Sequence, residues 1–299
     1  MGRAHHLDPH GAALLPDIDH ITLRLMGPIA YLKYHRGFTH SIAGGIILAL
    51  AFAGLVYITI KRAREMGYLR LFGLFLLGIY THIFLDLITS YGTQLLFPFS
   101  TYRYSMNLVF ILDPYLTLIF LAALILMGFN KARAKWIAIT AFILMVAYLG
   151  MNLVNQRLAL TKGKELARSQ GIEVIRIEAY PLPLSPFRWS VIAEDEVRYY
   201  QMNLDLLMSP TSIKAFEKGP RDNGLIKKAE ELEIIKTYLW FAKFPVVTLE
   251  DTKDGYILKY SDLRFNILPH RMPFLLTVVL GKDGSLKEWS LLFHTIRAN

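Results

Sequence analysis

The chain contains no cysteine. That removes disulfides as a source of stability and thiolates as metal ligands, and it leaves the redox compartment open. A glycine-rich phosphate loop is missing too, as are internal repeats and low-complexity tracts, so a nucleotide cradle of that type and a repeat array are both set aside. The N-terminal "MGRAHHLDPHGAALLPDIDH" has no continuous apolar core ahead of a small-residue cleavage site. It reads against a cleavable signal and leaves the first span to direct its own insertion. Long apolar runs are absent from about residue 160 onward, the length in question being that needed to cross a bilayer.

Before that point they dominate. Of 299 residues 54% are hydrophobic and the mean hydropathy is positive, which is too apolar for an ordinary soluble domain. A spanning helix needs about 20 mainly apolar residues, and the runs 42–60, 69–90, 108–129 and 136–154 qualify. The formal charge of +9 gathers beside them. Lys61, Arg62, Arg64 and Arg70 join the first two runs, and Lys131, Arg133 and Lys135 join the third and fourth. Both loops are therefore read as cytoplasmic, while the connection carrying only Arg103, and both termini, face outward. Topology accounts for the basic excess, and no nucleic acid is required.

Beyond residue 160 the pattern becomes strand-like alternation in "IEVIRIEAY", "RWSVIAEDEVRYYQMNL", "FPVVTLED", "GYILKYSDLRF" and "FLLTVVLGKDGSLKEWSLLF". One helix is predicted over "NGLIKKAEELEIIKTYLWFAKF", and "KDG" at Lys253 and again at Lys282 reads as a hairpin turn. The expected fold is a multi-pass α-helical membrane protein of about four spans with a C-terminal α+β extramembrane domain containing an antiparallel sheet. Its expected parts are a polar N-terminal metal-ligand segment (1–40), a four-helix transmembrane domain (41–157) and the extramembrane domain (158–299). Around "ITLRLMGPIAYL" a short amphipathic or re-entrant stretch is expected. The pair Asp113 and Pro114 is a helix-start signature, so the third regular helix is expected to begin there.

The chemistry-bearing residues sit against the apolar runs. "HIFLD" places His82 and Asp86 four apart, hence on one face of a helix within a span. An ionisable group there is costly and calls for a partner or a shared metal. "HRGFTHS" (35–41) supplies His35, Arg36 and His40 where the chain enters the first span, "LLPDIDH" adds Asp17, Asp19 and His20, and Asp113 opens the third run. By the topology above, all converge on one membrane face. Imidazole with carboxylate suits Zn²⁺ or Mn²⁺, several carboxylates can bridge two ions, and two ions can clamp a phosphoester while Arg36 offers a fork for a phosphate oxygen. Each residue has a plainer reading. Asp17 and Asp19 also suit a turn or cap, Asp113 an N-cap, His20 a solvated position, Arg36 a headgroup contact, and His82 with Asp86 a helix-locking pair. Ser41 or Thr39 reads as the N-cap of the first span.

Taken together, "LLPDIDH", "HRGFTHS" and "HIFLDLITSYGTQLLFPFS" resemble the YdjM-like family of LexA-regulated, membrane-bound, metal-dependent hydrolases, and the similarity extends to "PLPLSPFRW" (181–189) and "YSDLRF" (260–265). That family is in turn distantly similar to bacterial zinc phospholipase C and the fungal zinc nucleases, where His and Asp on helices hold a zinc cluster that cleaves phosphodiesters. By motif, the resemblance implies metal roles for Asp17, Asp19, His35, His40, His82 and Asp86. Members commonly open with an apolar helix bearing an early His. Here "AALLPDID" follows a short polar lead, and the resemblance leaves two expectations open: His5, His6 or His10 substitutes, or one ligand or one membrane span of the family pattern is missing from this sequence.

The resulting expectation is a multi-pass cell-membrane hydrolase whose metal site and C-terminal domain lie on the extracytoplasmic side, the domain roofing the site. The substrate is a phosphoester of a lipid or lipid-linked phosphate, and the cofactor is one or two divalent ions, zinc first and manganese second. A metal-activated water attacks, Asp17 or Asp19 bridges metals or takes the proton, and Arg36 holds a phosphate oxygen. Arg188, Trp189, Asp262 and Arg264 are candidates for recognition, weighed against sheet packing with a structural Asp–Arg pair. The rivals are an ion or proton transporter with His82 and Asp86 as relay groups, and a non-catalytic scaffold with a structural metal.

Overall fold

The computed structural model describes residues 9–208, 213–220, 223–267 and 273–292. Packing divides the chain into two units, Met1–Met106 and Asn107–Asn299.

In the first unit, 3₁₀ turns at Pro9–Leu14 and Pro16–Ile18 lead into α1 (Asp19–Met26) and α2 (Pro28–Tyr34). The two helices are separated by Gly27, whose φ of 94° glycine tolerates, and Pro28 starts the second with a ring already set for the first turn. A 3₁₀ turn at Phe38–His40 then delivers the chain to α3 (Ile42–Thr59). Ser41 is the N-cap, its hydroxyl accepting from the Gly44 N–H at 2.9 Å.

A short basic helix, α4 (Lys61–Met66), turns the chain into α5 (Tyr68–Leu87). Arg64 donates to the carbonyls of Tyr57 and Ile58, closing the C-terminal end of α3, where a cation is favoured. Tyr80 Oη donates to the Ile42 carbonyl and Ala53 packs with Leu71, so α3 and α5 run antiparallel. Gly45 permits their close approach, since a Cβ there would lie 2.7 Å from the Tyr80 ring. Their shared core is apolar (Ala49, Ile79 and Ile83, with Leu15), while Ile46, Ile47, Leu50, Leu55, Leu77 and Phe84 point outward. A helix pair apolar on its outer faces as well as its inner ones is suited to lipid.

In the second unit α6 spans Pro114–Phe129, beginning at the Asp-Pro signature, with the Asp113 carboxylate accepting from Leu116 N–H at 2.9 Å. The apolar run 108–129 therefore contributes a helix of only 16 residues. Among the described residues, three helices are long and apolar enough to cross a membrane, within Ile42–Thr59, Tyr68–Leu87 and Lys131–Ser169, and α6 is a shorter apolar helix. The third contains α7 (Ala134–Ser169), 36 residues long, whose later turns present Asn155, Ala159, Gly163 and Ala167 to a sheet. Gly163 is required there, because a Cβ would stand 2.6 Å from Val191.

That sheet is antiparallel in the order β1 (Arg176–Pro181), β2 (Arg188–Glu194), β3 (Arg198–Asp205) and β4 (Ile213–Glu217). Ala159 packs against its Trp189, Val191 and Met202. Two short helices, α8 (Gly224–Ala229) and α9 (Glu233–Phe241), replace the one expected. A second antiparallel sheet follows, β5 (Pro245–Thr252), β6 (Gly255–Asp262), β7 (Leu275–Gly281) and β8 (Leu286–Leu292). The domain thus holds two sheets where one was expected. Both "KDG" stretches do form hairpin turns, closing β5 on β6 and β7 on β8.

Candidate metal centre

Every donor comes from a local structure that fixes its direction. Asp17 lies in the turn Pro16–Ile18, Asp19 and His20 open α1, His35 caps the end of α2, His40 ends the turn Phe38–His40, and His82 and Asp86 lie one turn apart on α5. The turn before α3 can press close because Gly44 has no Cβ: one would fall 1.8 Å from the Phe38 carbonyl oxygen.

Four of these side chains cluster, two carboxylates each facing the same two imidazoles. Asp17 Oδ1 lies 3.4 Å from His40 Nε2 and 3.5 Å from His82 Nε2, and Asp86 Oδ2 lies 3.2 Å and 3.4 Å from the same two nitrogens. A tetrahedral ion with bonds of about 2.0–2.1 Å holds its ligands about 3.3–3.4 Å apart, and each of these four carboxylate–imidazole separations is of that size. His40 Nε2, His82 Nε2 and Asp86 Oδ2 are buried and make no hydrogen bond. Buried polar atoms seldom stay unsatisfied, and three clustered in this way fit a divalent cation.

The surroundings set the donors' orientation. Thr39 Oγ1 donates to Asp19 Oδ2 at 3.1 Å and lies 2.9 Å from His40 Nδ1. The hydroxyl has one proton and spends it on Asp19, so it accepts from His40 Nδ1–H, which leaves the Nε2 lone pair for the centre. Asp19 also takes the Arg36 backbone N–H, at 3.3 Å, and His35 Nδ1, at 3.3 Å and 3.4 Å from its two oxygens. Arg36 is buried, with its guanidinium on Asp86 Oδ1 at 2.8 Å and on Thr89 Oγ1 at 3.0 Å. Both terminal nitrogens are committed to protein acceptors. Arg36 thus clamps Asp86, and Asp19 orients His35 and, through Thr39, His40.

A second group lies alongside. Asp19, His20 and His35 each offer an atom within 4.8 Å of the others, as Asp17, His40 and His82 do in the first group. Asp17 connects the two, 3.7 Å from His20 Nε2. The His35 ring is stacked on Tyr31 and contacts His20.

Electrostatics prepare these ligands for a cation. His40 and His82 hold the Asp17 carboxyl well below the usual carboxylate range. Asp19 is also lowered: burial opposes ionisation, and the His35 bond with the charges of His35 and His40 overrides it. Burial, opposed by Asp19, depresses His35. For His40 burial also favours the neutral form, yet the carboxylates of Asp17 and Asp86 outweigh it and raise its proton affinity. A proton and a cation therefore compete at His40.

The remaining expected residues have local roles in the second unit. Asp113 caps α6 and accepts from Tyr148 Oη at 2.8 Å. Arg188 is exposed at the start of β2, and the Trp189 beside it is wholly buried. Asp262 is fully buried, bonded to Arg264 and to the backbone N–H groups of Lys243 and Phe244, which is the structural pair weighed against recognition. His5 and His6, and the side chain of His10, lie outside the described residues. Sequence reasoning passed over Arg103, which is buried and donates to the carbonyls of Leu32, His35 and Gly92. Its signal was a single cation in an otherwise uncharged connection.

The family model described as "YdjM inner membrane protein" matches residues 10–159, half of the chain and the part that contains every converging donor. A protein of Bacillus subtilis (strain 168), named "Uncharacterized protein YfhP", is 26% identical over 274 residues, covering 91% of this chain and 80% of its own length. No solved structure matches.

Proposed function

Because the chain belongs to the YdjM inner membrane protein family, and is a membrane protein whose donors gather as described, we propose that it is a membrane-bound, metal-dependent hydrolase cleaving a phosphoester of a lipid or lipid-linked phosphate. The observation that carries this reading is the closure of Asp17 and Asp86 on the same two imidazoles, His40 and His82, at 3.2–3.5 Å, with three of the four contacting atoms buried and otherwise unsatisfied. Zinc or manganese held there would polarise a phosphoryl oxygen and make a bound water more acidic.

The side chains divide the remaining work. Asp17, the most exposed of the four, is the carboxylate able to hold a proton taken from water at the open edge. Arg36 fixes Asp86, and Asp19 fixes His40 through Thr39. The neighbouring Asp19, His20 and His35 can accept a second ion, with Asp17 shared between the two positions. The centre lies where α3 begins and α5 ends, opposite the basic α4 connection, so the positive-inside rule assigns it to the extracytoplasmic face.

A transport pathway is disfavoured by what lies beneath His82. There α3 and α5 pack Ala49 and Ile79 with Leu48, Phe72, Phe75 and Leu76, an apolar core unsuited to a proton or ion relay. The test is elemental analysis followed by assay. The purified chain should hold about one or two Zn²⁺ or Mn²⁺ ions, the double variant His82→Ala with Asp86→Ala should hold none, and the loaded protein should turn over a phosphodiester or phospholipid from a broad panel. A fully loaded protein inert toward the whole panel would move the reading to transport or scaffolding.

A further inference from the structure

The segment that carries Asp17, Asp19 and His20 has its apolar face on the outside. Leu14, Ile18, Ile21 and Leu25 recur at helical spacing and are 70%, 45%, 68% and 86% exposed, while Pro16, Asp19 and Leu23 between them are buried. A short helix in water does the reverse. The two helices long and apolar enough to cross a membrane that it packs beside are likewise apolar on the outside, at Ile42, Ile46 and Leu50 on α3 and at Leu77 and Phe84 on α5.

Packing gives the depth. Ala12 rests on Gly78, where an added Cβ would come within 3.0 Å of the Ala12 Cβ, and Leu15 joins the core around Ile79 and Ile83. Gly78 lies roughly 13 Å along the helix axis from the Leu87 end of α5. That is close to half of a hydrocarbon core of about 30 Å. From this level the chain climbs past Asp17, which touches His82, to α1, whose Asp19 meets His35 near the start of α3. Arg24 on α1 and Lys33 on α2 are exposed cations, and such side chains reach anionic headgroups.

We infer that the apolar face of Leu14 to Met26 (Leu14, Ile18, Ile21 and Leu25) is immersed in the acyl layer of an anionic phospholipid leaflet, and that the open edge of the centre receives its substrate sideways from that leaflet. The second half rests on the hydrolase reading, while the first stands without it. Asp17 and His20, with side chains 40% and 37% exposed, form that edge and belong to the lipid-facing segment itself. An amphiphile would lie with its chain along Ile18, Ile21 and Leu25 and its phosphate at Asp17 and His20, with no need to leave the bilayer.

Since the chain has no cysteine, single nitroxide labels can be placed in the full-length protein without background. In vesicles of phosphatidylcholine and phosphatidylglycerol, labels at Leu14→Cys, Ile21→Cys and Leu25→Cys should collide with oxygen in preference to a water-soluble nickel chelate. Leu14 should read deepest, and Arg24→Cys should show the opposite preference. Nickel access at Ile21 and Leu25 equal to that at Arg24 overturns the inference, and so does dipolar broadening at Ile21, which would put a second copy on this face. For lateral entry, Ile21→Glu with Leu25→Glu should lower turnover of a vesicle-borne phosphodiester about tenfold relative to a short-chain soluble one, the scale of a lost apolar contact. An equal loss on both substrates overturns lateral entry. Absence of turnover on either by the unaltered chain defeats the hydrolase reading and leaves the depth result standing.

Discussion

Thr39 illustrates how one hydroxyl can decide a centre it does not enter. Placed between Asp19 and His40 Nδ1, it selects the tautomer that aims Nε2 at the other three donors. Thr39→Val keeps the shape and removes the link. Partners of this kind are worth about 10- to 100-fold in metal affinity, and a chelator-competition titration should show a loss of that size with the far-ultraviolet circular dichroism unchanged. Undiminished affinity would show that His40 is oriented by packing alone. The same titration against pH has a definite sign. His40 is raised above its ordinary 6.5, so below its folded value a proton must leave before the cation binds. Apparent affinity should climb with pH until the folded value of His40, which lies above 6.5, has been passed, and Asp17, already ionised, adds no slope there. In the metal-free chain the linkage runs the other way. The stabilisation from His40 is fully present below 6.5 and is lost as pH rises through the folded value.

At the scale of elements, the join between the turn Phe38–His40 and α3 is held by glycine. Gly44→Ala should favour an isolated helix by about 1 kcal/mol. In this fold the added Cβ would meet the Phe38 carbonyl oxygen at 1.8 Å, so the turn carrying His40 has to move. The expected result is unchanged helix content with metal content well below that of the parent, read by elemental analysis beside circular dichroism. Full occupancy would mean that the turn yields without carrying His40 away. Elements were legible where one local rule acts alone. Ser41 and Asp113 as caps, the apolar lengths of α3 and α5, and the Asp-Gly turns all stood in the letters. The break between α8 and α9 was not legible, since Leu232 leaves helical geometry inside an apparently periodic run, nor was β4, whose "IKAFE" owes its strand form to pairing with β3.

At the scale of the molecule, residue types were legible and partnerships were not. Imidazole and carboxylate spacing marked His82 with Asp86, and the density of donors marked "HRGFTHS" and "LLPDIDH". That Arg36 would turn inward to Asp86, fifty positions away, and that Asp19 would serve Thr39 and His35, depend on how the α1–α2 hairpin folds back. No periodicity encodes that return. The division of the C-terminal strands into two sheets was hidden for a related reason, because alternation fixes which face a side chain takes and is silent on which strand comes next.

The uninterrupted course of α7 has a mechanical corollary. At 36 residues it measures about 54 Å, well beyond the bilayer's hydrocarbon thickness of about 30 Å. With Gly163 seated on Val191, the first sheet is clamped to that rod in fixed azimuth. Any tilt or rotation of the rod's buried length, as when bilayer thickness changes, is transmitted to the sheet as rigid-body movement, because no joint intervenes to absorb it.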